Sequence, residues 1–464
     1  MIPEINNTFC YYPFYQLALK KWDSKNGIRN AAPCCNAIRP DTPDPLQIDD
    51  KFDAAISNNR LILPTEIFYG DEMTELRESM LQGKKHPACS TCWKMEDKGN
   101  TNSYRFYSKP VYNKIDENIQ SNPVMRSIDL IMGENCNLRC RMCSPGLSNS
   151  LRKDYKIFAE TKNTDANIIP DFEWHNINPD RDKQWRAEDS HNKSYAWVDN
   201  DHPQWQAILD DIHNIRHIKA TGGETTITKS WLEFLDYAIE TGAAENIVLE
   251  FHTNATKFTD TLVDKFKHFE RIHINLSIDS IGKNYEYLRY PMKWPQLCKS
   301  LQNLFVKSAE QHIKNLTTSM NPTISALNIH YLKEISDWWI NNICKSNGHN
   351  FFPGIVYPDN RGISIKYLPI AMKQRLLTNI IKLQDSTIED IDLLAIISEL
   401  SNCVNYQPTK DEKIKFFKEI RAFDTVRKQK YYDYCHAEIS AYLDSIAAEY
   451  NLAATSPMLL GKSS

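Results

Sequence analysis

The sequence predicts an α/β protein: a partial (β/α)6 barrel, preceded by a loop-rich cysteine module and followed by a helical region. Three observations carry this. Strand-like and amphipathic helical segments alternate between residues 126 and 358. Several of the strand-like segments end in glycine or small polar residues, as strands do where chemistry gathers at their C-terminal ends. From about residue 361 apolar residues recur at three- and four-residue steps, the period of packed helices. The boundaries read from these changes are 1–110, 111–360 with an insertion at about 150–205, and 361–464.

Composition sets the class. The chain has 464 residues, 41% hydrophobic and 25% charged, which is ordinary for a globular protein. A formal charge of −4 and a pI near 6.4 carry no strong nucleic-acid signal and no membrane signal. The start MIPEINNTFCYYPF lacks a secretory pattern, and no run of about 18 apolar residues occurs, so a cytoplasmic setting is expected. In a reducing compartment, clustered thiols among the twelve cysteines read first as metal or cluster ligands. Cys298, Cys344, Cys403 and Cys435 are scattered and read as small buried hydrophobes.

The elements follow in order. FCYYPF (9–14), APCCNA (32–37) and HPACSTCWKMEDKG (86–99) offer four ligands, Cys10, Cys34, Cys89 and Cys92, the last two as a C-x-x-C pair. Cys34 and its neighbour Cys35 are alternatives, and so are an iron–sulfur cluster and a zinc ion. The first barrel strand is RSIDLIM (126–132), and MGENCNLRCRMCSP (132–145) carries Cys136, Cys140 and Cys143 as C-x-x-x-C-x-x-C. Structural zinc prefers four ligands in close pairs, which three thiols without a nearby fourth do not supply. A [4Fe–4S] cluster held at three corners, with one iron left open, fits the spacing.

Five further strands are expected: IRHIKATGGE (215–224), ENIVLEFHTNAT (245–256), RIHINLSID (271–279), LTTSMNPTIS (316–325) and NFFPGIVYP (350–358). Trp174, Trp185, Trp197 and Trp205 lie among charges in the insertion, which reads either as a substrate lid or as a small packed subdomain. Tyr285, Tyr287, Arg289 and Tyr290 follow the fourth strand near the expected barrel mouth, as substrate anchors or as helix packing. Thr387 with Asp390 has the pattern of a helix cap. The basic, Tyr-rich 427–434 region fits an anionic partner or an ordinary solvated face, and the tail SPMLLGKSS reads as disordered.

The cysteine triad, followed in order by TGGET (221–225), HTNAT (252–256) and SID (277–279), resembles the radical S-adenosylmethionine (SAM) superfamily. The resemblance implies that Cys136, Cys140 and Cys143 hold a [4Fe–4S] cluster whose open iron chelates SAM. It implies that Gly222, Gly223 and Glu224 hold the methionine amino group, that Asn254, Ser277 and Asp279 contact ribose and carboxylate, and that Met142 offers an apolar surface to adenine. Thr225 stands where the family usually has proline. The front cysteines resemble a SPASM or twitch auxiliary-cluster module, here placed before the barrel rather than after it. The activity implied is reductive cleavage of SAM to a 5′-deoxyadenosyl radical that takes a hydrogen atom from substrate, fed by a flavodoxin- or ferredoxin-type donor. A peptide-modifying maturase is the first expectation and a small-molecule dehydrogenase or epimerase the second. A zinc-stapled binding protein without catalysis is the reading from a different class.

Overall fold

The computed structural model describes residues 8–23, 27–37, 60–97, 103–108, 119–145, 147–162, 202–343, 349–351, 353–355, 362–386 and 392–452. The six expected strands form. They are β3 (Ser127–Ile131), β4 (His217–Thr221), β5 (Val248–Thr253), β6 (Arg271–Leu276), β7 (Leu316–Met320) and β9 (His349–Phe351). The fifth and sixth segments each add a short piece, β8 (Thr323–Ile324) and β10 (Gly354–Ile355), which pair with one another in parallel. Two strands were not expected: β1 (Gln16–Asp23) and β2 (Gly27–Ala32).

All but β8 and β10 join one sheet in the order β2-β1-β3-β4-β5-β6-β7-β9. Every neighbouring pair is parallel except the β1–β2 hairpin. From β3 onward the spatial order is the chain order, and helices lie between successive strands. That is the topology of a partial (β/α)6 barrel, extended at its first strand by the N-terminal hairpin. The front segment is therefore not only loops.

Strand alternation separates two faces. Ile218, Ala220, Leu249, Phe251, Ile272 and Ile274 are fully buried. The helix Lys229–Glu240 covers that side, because its apolar positions Trp231, Phe234, Leu235 and Ala238 repeat at helical spacing and the Trp231 ring meets Phe251 at 6.0 Å. The intervening residues are polar and form a cross-strand register row, Asp129–Lys219–Glu250–His273–Thr317. This row lines the opposite, inner face.

The C-terminal region is helical as expected, in Ile370–Ser386, Leu394–Cys403, Lys410–Arg427 and Ala437–Glu449. Thr409 closes the third of these with a capping box to Glu412. The cap expected at Thr387 and Asp390 lies outside the described residues, as do Trp174, Trp185, Trp197, Cys344 and the SPMLLGKSS tail. Trp205 belongs to the helix Pro203–Asp210 and is buried in the main core. No described helix is long and apolar enough to cross a membrane.

Candidate active site

The triad loop begins where β3 ends, and its backbone is held from three sides. Asn149 N–H donates to Glu134 O at 2.8 Å and Cys136 N–H to Asn149 Oδ1 at 3.1 Å. Ser148 and Ser150 donate to the carbonyls of Leu138 and Cys136 at 2.7 and 2.6 Å. From the segment after β6, Tyr290 O accepts from Arg139 N–H at 2.7 Å and Leu288 O from Arg141 N–H at 2.9 Å. KNYEYLRYP is thus a brace for the loop. Tyr285 and Tyr287 are fully buried in it, which selects packing over substrate anchoring.

Cys136, Cys140 and Leu138 form one small cluster, against which Met142, Cys143 and Met292 pack. Two donors point at the Cys136 sulfur: Leu138 N–H at 3.4 Å and Asn254 Nδ2 at 3.9 Å. Burial pushes the Cys136 thiol up to about 11 and the Cys140 thiol up to about 12, so both carry protons at neutral pH until a metal displaces them. Cys143 is half-buried and borders the outside.

Gly222 and Gly223, at the end of β4, have φ of +86° and +50°. A Cβ on Gly223 would lie 2.5 Å from Asn135 O, and one on Gly222 would lie 2.7 Å from Gly133 O. Glu224 N–H also donates to Asn135 O at 2.8 Å. The glycine pair thereby seats the triad loop directly on the β4 turn. The Glu224 side chain is fully buried and already engaged: Thr226 N, Thr226 Oγ1 and Thr253 Oγ1 donate to Oε1, and Asn254 N donates to Oε2 at 2.6 Å. It bridges β4 to the end of β5. Burial outweighs those hydrogen bonds and raises its carboxyl above the usual range.

The remaining expected residues converge only in part. Asn254, besides meeting Cys136, donates to Asn137 Oδ1 at 2.9 Å, so β5 reaches into the triad loop. Ser277 follows β6 on the same side, its N–H bonded to Thr253 O at 2.8 Å. Asp279 is fully buried; it is ion-paired to Arg289 and accepts from Thr323 N–H at 2.8 Å. Its carboxylate therefore ties the end of β6 to β8.

The inner-face row was missed at the sequence level. Lys219 Nζ lies 3.2 Å from Glu250 Oε1, Asn275 Nδ2 donates to the same oxygen at 3.0 Å, and His217 Nε2 is 3.4 Å from Glu250 Oε2. Burial raises Glu250, but the His217 contact and the Lys219 charge outweigh it and hold the carboxyl well below its ordinary range. His273 bridges Thr317 and Ser319 at 2.8 and 3.0 Å. Burial, with the charge of Lys219, pushes His252 down to about 4, so it is neutral at pH 7. A signal was present: HIKAT, VLEFHT and RIHINL alternate polar and apolar residues at period two.

The front cysteines gather at the other end of the same strands. Cys10 precedes β1, and Cys34 follows β2, whose end lies beside the start of β1. Cys10, Cys34, Cys89 and Cys92 are all buried, and Cys10 and Cys89 each feel the charge of others in the group. Cys35 is exposed, and its side chain is hydrogen-bonded to that of Tyr104. Among the described residues, neither cysteine group brings three sulfurs within 4.8 Å of one another.

A buried ionic lattice joins the helix Lys410–Arg427 to the triad loop, also unforeseen. Arg141 is enclosed, bonded to Asp424 at 2.6 Å, to Tyr287 O at 3.0 Å and to Gln429 Oε1 at 3.1 Å. Asp154 takes Arg139 and Arg427, each at 2.7 Å. Arg427 donates to Arg139 O, and its Nη1 is buried with no partner. Arg427 and Arg289 both bring positive charge to Cys140. The 427–434 region is accordingly not one solvated face: Arg427 and Tyr431 are buried, while Tyr432 is exposed.

No family model matches the sequence. No curated protein matches it either. Among solved structures, Streptococcus suis SuiB bound to S-adenosylmethionine aligns over 68% of this chain and 63% of its own, with 13% identity and a TM-score of 0.32. SuiB bound to precursor peptide SuiA aligns over 75% and 69%, with 14% identity and a TM-score of 0.36. Native anSMEcpe with bound AdoMet aligns over 55% and 60%, with 12% identity and a TM-score of 0.34. The chain covers less than two thirds of the first and third of these proteins.

Proposed function

We propose that this chain is a radical SAM enzyme that modifies a peptide. The observation that carries the reading is the triad loop itself. Three thiols from one eight-residue stretch belong to one side-chain cluster at the C-terminal end of the first barrel strand, braced by the β4 glycines and by Asn254. The donor set fits a cluster. Three thiols in one loop match the three-cornered hold of a cluster with one open iron, whereas a structural zinc takes four protein ligands. The partnerless Arg427 Nη1 and two donors at Cys136 Sγ are the surroundings an anionic sulfur-rich group wants.

In this reading Cys136, Cys140 and Cys143 would hold the cluster, and Met142, Gly222, Gly223, Asn254 and Ser277 would bind SAM. Glu224 and Asp279 position the strand ends rather than touching the cofactor. When bound, the pair supplies one-electron carbon–sulfur cleavage and a radical that removes a substrate hydrogen atom. The protein's share is orientation and exclusion of water. The row from Asp129 to Thr317 is the wall offered to substrate, with His252 and His273, both lowered by burial, as hydrogen-bonding groups. Cys10, Cys34, Cys89 and Cys92 would hold an auxiliary SPASM- or twitch-like cluster, leaving Cys35 outside the ligand set. Residues 1–110, 111–360 and 361–464 remain the proposed divisions, with a flavodoxin- or ferredoxin-type donor and a cytoplasmic setting.

The test is anaerobic reconstitution with iron and sulfide, followed by assay of 5′-deoxyadenosine from SAM. Wild type should bind iron and release the nucleoside. Cys136→Ala, Cys140→Ala and Cys143→Ala should each abolish release. Release by any of the three variants overturns the reading.

A further inference from the structure

Away from the two cysteine groups, though next to the buried Cys435, a second donor cluster takes no part in the proposed chemistry. His330 sits in the short turn Ile329–Tyr331 that follows β8. His436 and Glu438 open the helix Ala437–Glu449. One ligand atom from each of the three lies within 4.8 Å of the other two. The His330 side chain is only 7% exposed, and neither of its ring nitrogens has a hydrogen-bond partner. Its Nε2 is 3.8 Å from Glu438 Oε2, and its ring stacks on His436 with centroids 4.5 Å apart.

A buried imidazole with two unmet nitrogens is costly, and native structures rarely leave one without a reason. Two imidazoles and a carboxylate are the borderline donors that zinc-like ions favour, and such three-ligand sites keep a position open. The backbone is already set for it. Asn284 Nδ2 donates at 3.1 Å to both Leu327 O and Tyr434 O, clamping the stretches that lead into His330 and His436. We propose that His330, His436 and Glu438 form a binding site for a divalent transition ion of the zinc class, which staples the last helix to the barrel.

Two adjustments accompany binding. Metal bonds lie in the imidazole plane, so rings inclined by only 15° cannot both face one ion, and one must turn. His436 is the one free to do so: it is half-buried, and its Nδ1 accepts from Glu438 N–H at a long 3.3 Å. Glu438 must also exchange its exposed ion pair with Arg375 for the metal. Arg375 is therefore a competitor of the ion. The proposal is independent of the radical reading, because none of its ligands is a cysteine.

The test uses the full chain with its cysteines occupied by anaerobic iron–sulfur reconstitution, titrated with Co²⁺ alone and, separately, with Zn²⁺ alone. Wild type should bind one more equivalent than His330→Ala, with visible cobalt bands and no thiolate charge transfer. Zn²⁺ should raise Tm by about 2 °C or more in wild type but not in His330→Ala. Glu438→Gln, at a partly exposed position, should lose the same equivalent without harming the fold, and Arg375→Ala should bind several-fold more tightly. Equal cobalt uptake and equal Zn²⁺ shifts in wild type, His330→Ala and Glu438→Gln would overturn the site. If His330→Ala does not fold, Glu438→Gln decides alone.

Discussion

Gly223, like Gly222, meets two demands that only glycine satisfies together. Its φ of +50° is a left-handed value costing an ordinary residue roughly 1–2 kcal/mol, and a Cβ there would strike the Asn135 backbone, which cannot swing aside. Gly242 has a similar φ of +74° but open space where its Cβ would go. Gly223→Ala should therefore lower both stability and iron per chain after reconstitution, whereas Gly242→Ala should cost only the backbone amount and keep its iron. Iron assay and urea midpoints compare the two. The motif was legible in TGGET, but its contact was not. The sequence marked these glycines for a cofactor; that an added Cβ there would also strike the loop carrying the thiols is visible only in the structure.

Among the elements, the helix Lys410–Arg427 has the largest effect for its distance in sequence. Asp424 is 283 residues from Arg141 and receives its guanidinium in a site with almost no solvent. Removing one member of such a pair leaves the other charge buried, which costs about 3–5 kcal/mol. Asp424→Leu should do so and loosen the triad loop, reducing iron retention. Replacing both partners, as Arg141→Met with Asp424→Leu, should recover much of the stability, since no lone charge remains. Thr409→Ala, at the far end of the same helix, removes only the cap and should cost about 1 kcal/mol with iron unchanged. Denaturant midpoints and bound iron for the three chains check this. The apolar period announced the helix, but nothing local to it announced its partners.

For the molecule as a whole, the sheet separates two thiol groups along the same strands. The triad stands past the C-terminal end of β3, and Cys10 and Cys34 stand near the start of β1, which is parallel to it. The polar inner face lies between them. The burial of His252 on that face predicts acid sensitivity. His252 is held near 4 in the folded chain against an ordinary 6.5. Above pH 6.5 the ring is neutral in both states and its contribution is complete. Below that, the unfolded chain binds a proton that the folded chain refuses, so stability falls until the pH reaches about 4. Between pH 7 and pH 5 the loss is about 2 kcal/mol. His252→Gln should lose less stability than wild type over that interval by about this amount, as urea unfolding at the two pH values would record.

Short-range order was readable from residues alone. Six strands, the helices that follow them, the triad and the glycine turn all rest on patterns within a dozen positions, where side-chain period and backbone preference act directly. The N-terminal hairpin escaped because its β1 edge is completed only by β3, more than a hundred residues later. The inner-face row, the Arg141–Asp424 lattice and the histidine pair likewise exist only once distant strands and helices come together. Burial and charge pairing depend on which surfaces meet, and tertiary packing alone decides that.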